Sequence, residues 1–357
     1  MNNASPDQDK GAGSKLQTML PQKKQKIFPL LMIAVIIAVI SVLVIISILN
    51  QQEDAVQNGQ IGRGENAQDA RGSNKKIKSA FKLTPANIQS LDQGIYEAWA
   101  HSDALSITDS LGTFQVSPKG QLLTAGRAPI KDNILQSTLA QKEISGFFVT
   151  IEPDADTDEG PSPIKLLEGK FVNGSALAKF QAVNVLNANG QYLLATPTNG
   201  PNTNEASGVW FVRLSESGNT AFPALTLEQT QNGFVYQGWV EREGKFLSTG
   251  KFDRSDFLDS SALYGIKEGT DFGFPGEDFL ANAPQGFTFP LNLADGKTNV
   301  FVSVEPNIEG VDPTGEKPFQ LRFLKATISE FAQPGTNYDL TLDILKFPVI
   351  IIELIKE

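Results

Sequence analysis

Tyr96-Glu97-Ala98-Trp99, Gly112-Thr113-Phe114 and Val149-Thr150-Ile151-Glu152-Pro153 return in the same order as Tyr236-Gln237-Gly238-Trp239, Gly250-Lys251-Phe252 and Val302-Ser303-Val304-Glu305-Pro306. An ordered set of signatures that occurs twice in 357 residues marks a duplicated unit. The unit is built of strands. In Val300-Phe301-Val302-Ser303-Val304-Glu305, positions 300, 302 and 304 share one face. Around these motifs, short apolar runs separated by turn residues recur roughly every 8 to 15 positions, a spacing that predicts a β-sandwich or barrel rather than helices.

Strands are expected over Ile95–Ala100, Gly112–Val116, Phe147–Glu152, Leu177–Val183, Gln191–Ala195, Val209–Leu214, Phe234–Val240, Val300–Glu305 and Gln320–Ala326. Between them, Ser117-Pro118-Lys119-Gly120, Asn187-Ala188-Asn189-Gly190, Ser215-Glu216-Ser217-Gly218 and Ala294-Asp295-Gly296 supply turn residues. Within each repeat, Tyr96 and Trp99, or Tyr236 and Trp239, are three apart and so face opposite sides of a strand. One anchors the core while the other covers an edge or surface; stacking on a sugar ring is the alternative use of the second aromatic. Glu152-Pro153 and Glu305-Pro306 read as strand ends, because proline cannot donate to a ladder. A loop follows each, 154–163 and 307–318, and then a strand from Ile164 or Phe319, which predicts a hairpin.

Outside the repeats the chain changes character. Ile27–Leu49 is 23 residues without a charge, about 34 Å as a helix, enough to cross a bilayer core of about 30 Å. Lys10, Lys15, Lys23, Lys24 and Lys26 precede it against only Asp7 and Asp9, which places the N-terminus in the cytoplasm and the repeats outside. No cleavage-site pattern follows, since Asn50-Gln51-Gln52-Glu53-Asp54 comes next. Residues 1–26 are polar and low in complexity and are expected to be a disordered cytoplasmic tail; 50–78, with Gly59, Gly62, Gly64 and Gly72, read as a flexible linker. The fold class is therefore mainly β: two tandem β-sandwich domains behind one N-terminal transmembrane helix, with domains at 79–172 and 173–330 and a C-terminal strand or tail at 331–357. That last segment, with Phe347-Pro348-Val349-Ile350-Ile351-Ile352, is too short to cross a bilayer and is expected to add a strand to the second domain or to a partner.

The ordered pattern resembles the C-terminal, extracytoplasmic domain of anti-sigma-K factors. Tyr96, Trp99, Gly112, Thr113, Phe114, Val149, Thr150, Ile151, Glu152 and Pro153 carry the resemblance in the first copy; Tyr236, Trp239, Gly250, Phe252, Val302, Val304, Glu305 and Pro306 carry it in the second, with Lys251 and Ser303 departing. It covers roughly residues 80 to 328 and implies an outer β-sandwich that senses or scaffolds rather than catalyses. The family's cytoplasmic helical domain has no counterpart in the 26 residues before the apolar run, so sequestration of a sigma factor is not carried over.

Composition narrows the function classes. A net charge of -10, with the tail contributing +3 of the opposite sign, would repel phosphate backbones and argues against nucleic acid as a partner. The chain has no cysteine, and so no disulfide, thiol nucleophile or zinc-thiolate site. Its single histidine, His101, belongs to no catalytic signature, so no catalytic residue, metal or cofactor is expected and the protein reads as a non-enzyme; the alternatives are an anti-sigma-type regulator acting across the membrane and an envelope hydrolase using surface carboxylates. Asp154, Asp156 and Asp158 have the spacing of calcium ligands, but Glu159 and Lys165 stand where an EF-hand loop needs Gly and Glu. Between Gly-x-Phe and Glu-Pro the second copy is 15 residues longer, 53 positions against 38, and Phe272, Phe274, Glu277 and Asp278 in this connection form a candidate binding loop. Its alternative is a loop that packs its own aromatics over a sheet edge. The expected partners are the bilayer, through Ile27–Leu49, and an envelope protein or glycan.

Overall fold

The computed structural model describes residues 76–355, apart from 155, 201–202, 219, 232, 261–262, 267–271 and 308–316. The expected tail, membrane helix and most of the linker lie outside the described residues. Among the described residues no helix is long and apolar enough to cross a membrane.

The fold is mainly β and antiparallel. The first repeat contributes β1 (Ser79–Ala86), β2 (Ile95–Ser102), β3 (Ile107–Val116), β4 (Leu122–Leu123), β5 (Ile134–Ser137), β6 (Gly146–Glu152), β7 (Lys165–Lys170) and β8 (Ser175–Lys179). Next come β9 (Asn189–Leu194), β10 (Gly208–Trp210), β11 (Val212–Leu214), β12 (Ala221–Pro223) and β13 (Leu225–Thr226). The chain continues with β14 (Phe234–Arg242), β15 (Lys245–Phe252), β16 (Gly276–Asp278), β17 (Asn299–Pro306), β18 (Leu321–Thr327), β19 (Tyr338–Leu342) and β20 (Val349–Ile355).

One sheet runs β4-β3-β2-β6-β7-β8-β20-β1-β5 and the other β15-β14-β17-β18-β19-β9-β10-β16, with β13 also on β9. Aligned on the repeated motifs, the two orders match strand for strand: β3 with β15, β2 with β14, β6 with β17, β7 with β18, β8 with β19 and β1 with β10. At the matching place between them, the occupants are crossed. The first sheet holds β20, from the end of the second repeat, between β8 and β1. The second holds β9, which directly follows the first repeat, between β19 and β10. Each repeat thus hands its last strand to the other. The two crossing connections touch where Phe180 meets Phe347, ring centroids 5.9 Å apart.

This exchange corrects the expected boundaries. Strand β8 belongs to the first sheet although it follows residue 172, and the C-terminal segment completes the first sheet rather than extending the second. The physical reason lies in pairing across the chain: β20 finds ladder partners along both of its edges, on β1 and on β8. Ile350 and Ile352 point into the core and are fully buried, and strand period 2 places them together on one face. Both sheets belong to one compact unit, 74–357, and share one continuous apolar core.

The alternation that identified the strands also sorts their faces. Phe147, Val149 and Ile151 of β6, like Val300, Val302 and Val304 of β17, lie in the core, whereas Phe148, Thr150 and Glu152, like Phe301, Ser303 and Glu305, face the other side. Each motif strand is bulged at the same point. The β2–β3 register shifts between Ala98 and Trp99, and the β14–β15 register between Gly238 and Trp239. Gly112 and Gly250 absorb the bulge at φ +105 and +119, a region side chains rarely enter. At Gly250 a β-carbon would also lie 2.5 Å from the Asp259 carboxylate.

Candidate functional site

The repeated residues assemble the same unit twice. On β2, Tyr96 enters the core, stacks on Phe114 at 5.6 Å and donates its hydroxyl to the Gln89 carbonyl at 2.9 Å. Tyr236 stacks on Phe252 at 5.8 Å and donates to the Glu228 carbonyl at 2.5 Å. Burial pushes both phenols well above their ordinary pKa. Gly-x-Phe therefore supplies a bulge and then a partner ring for the tyrosine.

Trp99 and Trp239 occupy the opposite face, as the odd spacing requires. Trp99 lies nearly parallel to Phe148, and Trp239 to Phe301, with centroids 6.1 and 6.4 Å apart. Trp99 Nε1 donates to Thr150 Oγ1 at 2.8 Å, that hydroxyl donates to Glu152, and Glu152 accepts the Ser162 amide at 3.0 and 3.1 Å. In the second copy, Trp239 donates to Ser303 Oγ at 2.9 Å, the serine donates to Glu305, and Glu305 accepts the Phe319 amide at 2.9 and 3.0 Å. Ser303, a departure at the level of sequence, keeps the hydroxyl that the relay needs. The glutamate is thus more than a strand end. It ties the far side of its loop back to the sheet, and the hairpins β6–β7 and β17–β18 follow.

Both indoles are 3% exposed, so neither offers a free face to a sugar. Lysine and arginine cover the neighbouring rings: Lys165 Nζ lies 4.7 Å from the Phe148 centroid, and Arg322 lies 4.9 and 5.2 Å from Phe246 and Phe301.

The longer connection of the second copy closes on a different cluster. Its Glu277 and Asp278 form β16, which pairs with β10 and is buried. Asp278 accepts from Trp210 Nε1 at 2.8 Å and from Thr198 through both its amide, 2.9 Å, and its hydroxyl, 2.6 Å. Glu277 accepts the Leu263 amide at 2.9 Å. Phe272 meets Trp210 edge-on at 5.4 Å, and with Phe274 it packs on Leu193, Ala195, Trp210 and Val212. The structure therefore brings Phe272, Phe274 and Asp278 together around Trp210 as a second small core rather than as an open pocket, while Glu277 holds the Leu263 amide. Thr198 and Trp210, which complete the cluster, carry no motif and lie 80 and 68 positions away from Asp278, so local sequence gave no signal for them.

Burial raises the Asp278 carboxyl above its ordinary value, outweighing the Thr198 and Trp210 hydrogen bonds that lower it, and the charge of Glu205 adds to the rise. A carboxyl with a raised folded pKa contributes stability that is fully present below its unfolded pKa of about 3.9 and is lost as pH rises through the folded value. Asp278→Asn should therefore lower the melting temperature most in acid, and the gap to wild type should narrow as pH rises through the folded pKa. Thermal unfolding at a series of pH values measures this; a gap that widens towards neutral pH would contradict it.

Asp154, Asp156 and Asp158 do not converge on a cation. Asp154 accepts the Gly94 amide at 3.0 Å, Asp156 the Asp158 amide at 3.1 Å and Asp158 the Gly160 amide at 2.7 Å. Among the described residues no group of three His, Cys, Asp or Glu side chains is placed to hold a metal ion. His101 sits on the β2–β3 hairpin between Asp103, 3.1 Å, and Thr108, 3.2 Å. A polar cleft of about 750 Å³ opens between the segment before β14 and the turn after β15, lined by Glu228, Gln231, Asp253, Arg254 and Asp256 among others. A smaller one, about 360 Å³, lies at the corresponding place in the first repeat, between Pro85–Ile88 and Val116–Gly120.

No protein family matches the chain, and neither a curated protein nor a solved structure does.

Proposed function

We propose that this protein is a single-pass membrane protein whose β-rich region stands outside the cell and acts there as a non-catalytic binding, sensing or scaffolding module, built on the plan of the anti-sigma-K outer domain. The observation that carries this reading is the uncharged run Ile27–Leu49, preceded by lysines and followed by a tether and the duplicated β unit. The non-catalytic part is supported by the use of the motif residues. Trp99, Thr150 and Glu152, and their counterparts Trp239, Ser303 and Glu305, are spent on one another and on a loop amide. An envelope protein or glycan is the partner class we assign, with the polar clefts flanking the motif strands as the places to search.

Fractionation and protease access test the topology. The full chain should sediment with membranes, and protease added outside intact cells should remove the β region while an epitope at the N-terminus stays protected. Recovery in the soluble fraction, or loss of the N-terminal epitope to external protease, would overturn the proposal.

A further inference from the structure

The crossed strands carry an inference that does not depend on where the protein resides. We propose that the slot between β8 and β1 also accepts β20 from a second copy of this chain, giving a reciprocally exchanged dimer. The slot already takes a strand from outside its own repeat. Strand β20 pairs along both edges, from Ala80 opposite Ile355 to Ala86 opposite Val349 on β1, and from Ser175 opposite Glu353 to Lys179 opposite Val349 on β8. A second copy offers the same strand, with every one of these bonds and the same two buried isoleucines. No new interface chemistry is needed.

The connection that carries β20 is suited to opening. Residues 343–348 form a turn in which the Phe347 amide donates to Ile344 and the Asn87 side chain holds the Leu345 and Phe347 carbonyls at 3.3 Å. Leu345 is 78% exposed and resists straightening little, whereas opening must release Phe347 from Phe180 and Asp343 from Lys325. Pro348 biases Phe347 towards an extended backbone, the conformation an open hinge needs. The closed chain and the exchanged dimer differ only in this hinge and in the entropy of association. Exchange should therefore become significant as the chain concentration approaches the effective concentration of the tethered strand, on the order of millimolar for a short linker.

The absence of native cysteine makes the test direct. Lys82 lies opposite Glu353 across β1 and β20. One copy carries only Lys82→Cys and the other, with a different tag, only Glu353→Cys, so neither can form the cross-strand disulfide within itself. After mixing, unfolding, refolding and mild oxidation, the heterodimeric disulfide should appear, and the dimer-to-monomer ratio should rise about tenfold for a tenfold rise in concentration. A control pair replaces Glu353→Cys with Lys251→Cys, which has no partner in the slot. Heterodimer no more abundant than in this control at any concentration overturns the proposal. A second variant, the full chain lacking Leu345 and Lys346, shortens the connection between β19 and β20 and so penalises the return of β20 to its own slot. It should elute as a dimer, whereas a monomer with the wild-type unfolding midpoint would also overturn the proposal.

Discussion

Loss of Ile352, by Ile352→Ala, should cost about 2–5 kcal/mol, and Ile350→Ala the same, because each side chain is fully buried and the surrounding core can collapse only partly. Together they approach the whole stability of an ordinary folded unit, about 5–15 kcal/mol, so the double variant should be largely unfolded. Which sheet fails is the sharper expectation. Since β20 sits between β8 and β1, hydrogen exchange in the single variants should lose protection first in β1 and β8, in the opposite repeat of the chain. Early loss in β14, β17 and β18, with β1 and β8 still protected, would mean that β20 does not hold the first sheet.

The second large effect concerns the hydroxyl inside the relay. Thr150→Val keeps the shape of the side chain but strands the Trp99 indole N–H and one bond to Glu152 in a buried place. An unsatisfied buried donor costs about 1–3 kcal/mol, and more where a charged group is left short, so a loss of about 2–4 kcal/mol is expected. Thr150→Ser should stay within about 1 kcal/mol of wild type, because it keeps the hydroxyl and removes only one methyl. The second repeat already uses Ser303 at this place. Chemical denaturation of the pair decides the matter: a Thr150→Val loss near zero beside a large Thr150→Ser loss would show that packing of the threonine methyl, and not the hydroxyl, is what counts. Ser303→Ala should repeat the large effect in the other sheet.

Much of the architecture was legible because the signals were local. Alternation put Val300, Val302 and Val304 of β17 on one face, which is the core face, and the odd Tyr-to-Trp spacing placed the two aromatics on opposite faces. The expected Val209–Leu214 strand instead breaks at Phe211, and Leu177–Val183 ends at Lys179, since ladder partners rather than propensity set strand ends. Strands β1, β4, β5, β12, β13, β15, β16 and β19 are not among those the sequence predicts, being short or lacking a clear apolar run. The destination of β20 could not be read at all. Its composition says that it is a strand, but the choice between two slots of equal chemistry depends on contacts across the whole chain. For the candidate loop, the residues Phe272, Phe274, Glu277 and Asp278 were visible, but their packing partners Thr198 and Trp210 were not.

The bulged hairpins have a further meaning for variation in this protein. Because Gly112 and Gly250 hold conformations closed to other residues, while Gly112 meets nothing within 4 Å of where a side chain would begin, space alone would permit replacement there and the backbone forbids it.

The crossed strands also fix an order in time. A ribosome delivers β1 to β8 long before β20, so the first sheet to be synthesised waits with an open slot until the last described strand emerges. The second sheet has no such wait, since β9 precedes every other strand it contains. Closure therefore runs in the reverse of synthesis, and a nascent chain exposes the edges of β1 and β8 to any extended neighbour from the completion of β8 until β20 emerges, about the second half of its translation.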